Sequence, residues 1–406
     1  MIPNLRKQFN SSFTQERYEK YLSFIEHSVP DSIHFRIAET PIFVGIDLTK
    51  KLLEAGDTIC TEILDPDFNK LTEYSIPENV KTPNEPSHPD CLVMDFAIAV
   101  DHHNNIVPKL IELQGFPSLF GFEVLQNDAI QSVFTIPQNY SCFLNGYTKA
   151  SYIKHLEIMI KGTRNKHTVL LELLPHQQKT RVDFYYTDIL ISLPIVCITE
   201  LILEGQSLYY NRDGIKHKIE RIYNRVVMDE LEKQIPSIQA KGALIKLATD
   251  LEWVTHPHHF FRISKYCIPF LKHESVPSTQ FLHIFNQGVL KNTSKLPEDL
   301  SDYVIKPLFS FAGQGVIIDI QNGDIDNIKD PENWIIQEKV KYAPIIETPT
   351  GNAKAEIRLF YFWDIVKEKY IAVNNLTRLS KGKMIGVNYN QTATWVGGSL
   401  AYFEKF

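Results

Sequence analysis

Apolar residues at 18, 21, 22, 24 and 25 recur with helical spacing and predict an amphipathic helix near the start of the chain. The stretch 76–91 holds four prolines among polar residues and reads as a loop. Two apolar runs, 92–100 and 106–114, flank the polar turn Asp101-His-His-Asn-Asn and predict a β-hairpin. Further along, the pattern gives a strand over 168–174, a helix over 181–193, a strand over 195–201 and a hairpin turning at Glu204-Gly205. A helix is expected over 256–271, and strands over 303–305, 315–320, 334–340, 356–362 and 370–377. Strands alternating with helices make this an α/β protein. No internal repeat is visible, so a solenoid is not expected.

Composition narrows the function classes. The 406 residues suffice for two or three domains. With 42 basic against 48 acidic residues the net charge is −6, and no basic run or stripe suggests nucleic-acid binding. No run reaches the ~18 apolar residues that span a bilayer, and no signal-like apolar run follows the N-terminal charges. Five scattered cysteines do not suit a disulfide framework, which favours a reducing cytoplasm. His256-Pro-His258-His259 matches no zinc spacing and is expected to be a helix entry with surface histidines. His102 and His103 are expected in solvent.

The candidate chemistry starts at Val304-Ile-Lys306-Pro-Leu-Phe-Ser310-Phe-Ala312-Gly313-Gln314-Gly315, a lysine at a strand end followed by a Ser/Gly loop. Glycines let backbone N–H groups approach phosphate, and a lysine supplies the charge. The loop is neither a Walker A loop nor a dinucleotide fingerprint. Next come Gln337-Glu338-Lys339-Val340 at a strand end, then Glu356-Ile-Arg358, whose two charges share one face of a strand, then Arg378. Lysine, hinge glutamate and two arginines in that order resemble the ATP-grasp superfamily. The resemblance implies ATP held between two α+β lobes, with Lys306 and Lys265 on phosphate and residues 310–315 as the phosphate loop. It puts Gln337 to Val340 around adenine, and Arg358 and Arg378 on the transferring phosphoryl group.

The usual metal-binding hairpin of that superfamily would follow Gly397-Gly398-Ser399, where the chain has only residues up to Phe406. A match lies upstream instead, in Asp95 and in Glu112-Leu-Gln114 followed by Ser118 and Gly121. Two carboxylates and an amide suit Mg²⁺, and without a cation their repulsion should raise a carboxyl pKa. This order resembles circularly permuted members such as eukaryotic glutathione synthetase and glutathionylspermidine synthetase. Here Gln114 replaces the expected Asn, and Ser310 stands where a metal-binding Glu would be. The resemblance implies an N-terminal segment over 1–90, a metal hairpin and helix over 91–150, an inserted Rossmann-like substrate domain over 151–230 and nucleotide-binding lobes over 231–406. The implied activity is an ATP- and Mg²⁺-dependent carboxylate–amine ligase working through an acyl phosphate. Its substrates would be small molecules, and the protein a cytoplasmic monomer or homodimer. The alternatives are an ATP-grasp-like kinase and a nucleotide-binding pseudoenzyme.

Overall fold

A computed structural model describes residues 2–164, 166–290, 300–310, 313–321, 323–382, 385, 390 and 393–406, with the side chains of 288–290 left aside. At its centre is a five-stranded antiparallel sheet in the order Gly397–Ser399, Lys369–Ser380, Lys354–Asp364, Cys91–Val100, Ile106–Gln114. The expected hairpin is therefore present, and it pairs with strands far downstream in the chain. Period-two alternation divides its side chains between two cores. Leu92, Met94, Phe96, Ile357 and Leu359 pack under the helix Ile46–Ile63. Val93, Phe360 and Phe362 face the other way, into the core shared with the helices Gln15–Ser28, Phe122–Val133 and Lys149–Lys161. Gly56 lets the helix Ile46–Ile63 lie directly on Tyr361, because a Cβ there would overlap the tyrosine ring and hydroxyl.

A four-stranded parallel sheet runs Glu252–Val254, Arg221–Asn224, Thr168–Glu172, Ile195–Cys197. It takes in Glu252–Val254 and so reaches past the expected boundary at 230. The hairpin at Glu204-Gly205 extends into a small sheet of Ile202–Glu204, Ser207–Arg212 and Ile215–Ile219. Another three-stranded antiparallel sheet has Trp334–Glu338 between Thr279–Phe281 and Tyr303–Pro307. Ile42–Val44 pairs in parallel with Ala401–Glu404, which ties the first ninety residues to the end of the chain.

Three expected elements differ. The strand over 195–201 ends at Cys197 and passes into a 3-10 helix, Ile198–Glu200. The helix over 256–271 breaks into Pro257–Arg262 and a 3-10 helix Lys265–Phe270, with Ser264 in extended conformation between them. The strand over 315–320 reduces to one bridge, Ile317 to Ile305, because the left-handed Gly313 and Gly315 turn the chain just before it. Among the described residues no helix is long and apolar enough to cross a membrane.

Candidate functional site

The central sheet carries its charges on the face of Val93 and Phe360. Asp95 lies opposite Arg358 on one neighbouring strand and opposite Glu112 on the other, while Glu356 lies opposite Arg378. Arg358 grips the Asp95 carboxylate with two N–H···O bonds, Nε to Oδ1 at 2.5 Å and Nη2 to Oδ2 at 2.7 Å. Nη2 of Arg378 bridges Asp95 Oδ2 and Glu356 Oε1. The Tyr342 hydroxyl donates to Glu356 Oε2 at 2.8 Å. Burial alone would raise the Asp95 pKa, but the two guanidinium groups outweigh it and hold the carboxyl below its ordinary range. Glu356 moves the other way, because burial is its largest influence and Arg378 only partly offsets it.

Asp95, expected as a metal ligand beside Glu112, thus gives both oxygens to arginines. Sequence spacing put the three charges on strands without showing which strands are neighbours, and so not that they neutralise one another. Glu112 and Gln114 are half-buried on the same strand, as expected. A bulge between Asp95 and Phe96 in the pairing leaves Ile111 without an opposite residue. That bulge presents the Ile111 carbonyl to Lys306 Nζ at 3.5 Å.

The two lysines meet beside this hairpin. Lys265 Nζ donates to the Ser310 carbonyl at 2.7 Å and lies 3.3 Å from Glu112 Oε1. Lys306 Nζ donates to Gln337 Oε1 at 2.6 Å, and Gln337 Nε2 donates to Thr279 Oγ1 at 2.8 Å. Burial, and then the like charge of Lys265, push the Lys306 pKa down to about 8. A buried ammonium beside a second cation is a site that an anion would relieve. In the adjoining loop Gly313 and Gly315 both have φ near +75°, at 75° and 74°. At Gly315 a side chain would also press on Pro307. Gln314 is exposed. Ala312 lies outside the described residues.

The hinge is less open than its sequence suggests. The Glu338 N–H donates to the Ser278 carbonyl at 2.8 Å, and the Lys339 N–H to the Asp302 carbonyl at 2.7 Å. Those amides are spent on the sheet and are not available to a base. Lys339 Nζ reaches the carbonyls of Ser301 and Ile318 at 3.2 and 3.1 Å. Val340 sits in the linker that crosses to the central sheet, which the chain rejoins where Tyr342 bridges Ala99.

A narrow cleft lined by Glu112, Gln114, Lys265 and Ser310 shares Gln114 and Phe116 with a cavity of about 1100 Å³. Arg358, Arg378, Ser118 and Arg225 line the larger space. Sequence reasoning left Arg225 without a role. It is 6% exposed, its guanidinium lies 5.6 and 5.1 Å from the Phe116 and Phe184 ring centres, and Nη1 donates to the Ser118 carbonyl at 3.0 Å. Among the described residues no carboxylate comes within ion-pair distance of it.

The histidines are buried rather than on the surface. His256, His258 and Glu85 bring three ligand-type atoms within 4.8 Å of one another. All are already engaged. His258 Nε2 accepts from the Thr82 N–H at 2.9 Å, so Nδ1 carries the proton donated to Glu85 Oε2 at 2.8 Å. His256 Nδ1 accepts from the His258 N–H, and Arg262 Nε donates to Glu85 Oε1 at 2.6 Å. An arginine on the shared carboxylate opposes a divalent ion there. The network holds the proline-rich loop against the helix Pro257–Arg262. His102 and His103 are exposed in their turn, as expected.

No family model matches this chain, and no curated protein does. Among solved structures, a glutathione synthetase-like effector from Globodera pallida, in its apo form, aligns with 97% of this chain and 98% of its own. The TM-score is 0.57 at 10% sequence identity. The chain therefore has a mixed α/β fold like that of a glutathione synthetase-like protein, a distant likeness carried by architecture rather than by sequence.

Proposed function

We propose that this protein is a circularly permuted ATP-grasp ligase that joins a small carboxylate to an amine at the expense of ATP. One observation carries the reading. Lys265, Glu112 and Ser310, distant in sequence, converge on a cleft that opens at Gln114 into a cationic cavity, with Lys306 beside the same hairpin at the Ile111 carbonyl. A phosphate site and an organic-acid site with a common wall are what transfer between the two requires.

The residues present fit ATP at the lysine pair, where a buried, partly compensated ammonium favours a polyanion. They fit Mg²⁺ at Glu112 and Gln114 with water and phosphate oxygens completing the shell, but not at Asp95, whose oxygens are taken. When bound, ATP with Mg²⁺ supplies the phosphoryl group that activates the carboxylate. Lys265 and Lys306 would neutralise phosphate charge, and Glu112, 3.3 Å from Lys265, would be the carboxylate that holds the metal. Arg358, oriented by Asp95, presents Nη1 beside Ser118 Oγ, 3.2 Å away, where a substrate carboxylate can be gripped. Arg225 supplies a second cation at the same end. Preorganised charge of this kind is the main contribution expected in phosphoryl transfer. No side chain need act as a covalent nucleophile.

The test is ADP release with hydroxylamine as the amine across a panel of carboxylates. Hydroxamate formation that depends on ATP, Mg²⁺ and one class of acid supports the reading. ADP release with a phosphorylated hydroxyl acceptor and no hydroxamate would make the protein a kinase.

A further inference from the structure

We infer that the large cavity selects a carboxylate with an apolar, ring-sized body, and that residues 18–37 are the selector. The inference rests on the proposed function only in taking that cavity as the acid site. The space is lined by two chemically distinct kinds of side chain. Five are cationic, Arg36, Lys179, Arg225, Arg358 and Arg378, against the two carboxyls of Glu26 and Glu123. An apolar part of the wall is built from the N-terminal helix and the segment after it, through Leu22, Ile33 and Phe35. These three belong to the rim of the core and are only partly buried, so apolar surface remains turned into the cavity. Phe35 packs edge-on against Phe122 at 5.4 Å, which fixes one ring as a flat apolar face.

A fully polar occupant would set its hydrogen-bonding groups against this wall unpaired, which costs the desolvation of each buried group. A purely apolar one would bring no charge to a lining in which cations outnumber carboxyls. Only a molecule with both parts satisfies both kinds of lining. The volume of about 1100 Å³ lies just above the ~300–1000 Å³ typical of small-molecule sites, which leaves room for a ring.

The full chain is titrated by calorimetry with 3-phenylpropionate, propionate and 3-phenylpropanamide, without nucleotide. Phenylpropionate is expected to bind on the order of tenfold to a hundredfold more tightly than propionate, from the area of one buried ring. The amide is expected to bind detectably more weakly than the acid. Phe35→Ala and, as a second variant on the helix surface, Leu22→Gln should each shrink the ring preference while the far-ultraviolet spectrum and ATP affinity stay unchanged. Equal binding of the two acids, no binding of either at millimolar concentration, or a preference untouched by both variants overturns the inference. Loss of ATP binding in the wild type would instead overturn the ligase reading and leave the cavity's selectivity standing.

Discussion

Asp95→Asn separates a structural anion from a metal ligand. Asp95 is 1% exposed and carries contacts from two guanidinium groups. The substitution keeps the shape but removes the charge, leaving Arg358 and Arg378 close together with Glu356 as the remaining anion. Removing one partner of a buried ion pair costs about 3–5 kcal/mol, because the other charge stays buried and unmatched. Half-buried arginines recover part of this by turning to water, so the lower end, about 3 kcal/mol, is expected here. Urea unfolding at pH 7 reads it as a lowered midpoint with an unchanged slope. An Arg358→Met variant and the double variant complete a cycle, whose coupling should exceed about 1 kcal/mol for a pair in direct contact. Mg²⁺ added with ATP should stabilise Asp95→Asn by as much as it stabilises the wild type. A loss of stability under 1 kcal/mol together with a vanished Mg²⁺ response would refute this reasoning and return Asp95 to the metal.

Glu112→Gln should abolish most of the Mg²⁺-dependent stabilisation of the ATP complex, about 2.7 kcal/mol at a hundredfold excess over Kd, as read by thermal shift. Lys306→Met should raise apo stability by on the order of 1–3 kcal/mol, because a desolvated charge disappears, and should weaken ATP binding in the same calorimetric experiment. ATP affinity should stay level below pH 8 and fall above it: Lys306 titrates at about 8, and only its charged form attracts phosphate. A flat profile from pH 7 to 9.5 would remove Lys306 from the phosphate site. For the ligand-free protein the sign reverses, since the lowered pKa makes stability rise as pH passes from about 8 towards the unfolded value of 10.5.

Much of this fold is written in local pattern. The hairpin Cys91–Val100 and Ile106–Gln114 is marked by two apolar runs around a polar turn, and the structure keeps both strands. The pairing of Glu356 and Arg358 on one face followed from period two alone. Partnership across strands did not. Nothing in the order of residues shows that Asp95 meets Arg358 and Arg378, because that depends on which strands are neighbours. The same holds for Glu338 and Lys339, whose amides are consumed only because Trp334–Glu338 is the central strand of its sheet. The buried histidines look like surface residues in sequence, since the anion that satisfies them, Glu85, lies in the distant proline-rich loop. Arg225 had one available signal, its place at the end of the strand Arg221–Asn224, where parallel sheets present ligand groups.

The most direct measurement is a crystal structure of the full chain with a non-hydrolysable ATP analogue and Mg²⁺. The account predicts the phosphates between Lys265 and Lys306 under the 310–315 loop. It places the metal against Glu112 and Gln114, and leaves Asp95 still gripped by Arg358. An analogue bound elsewhere, or a metal on Asp95 with Arg358 displaced, would contradict it.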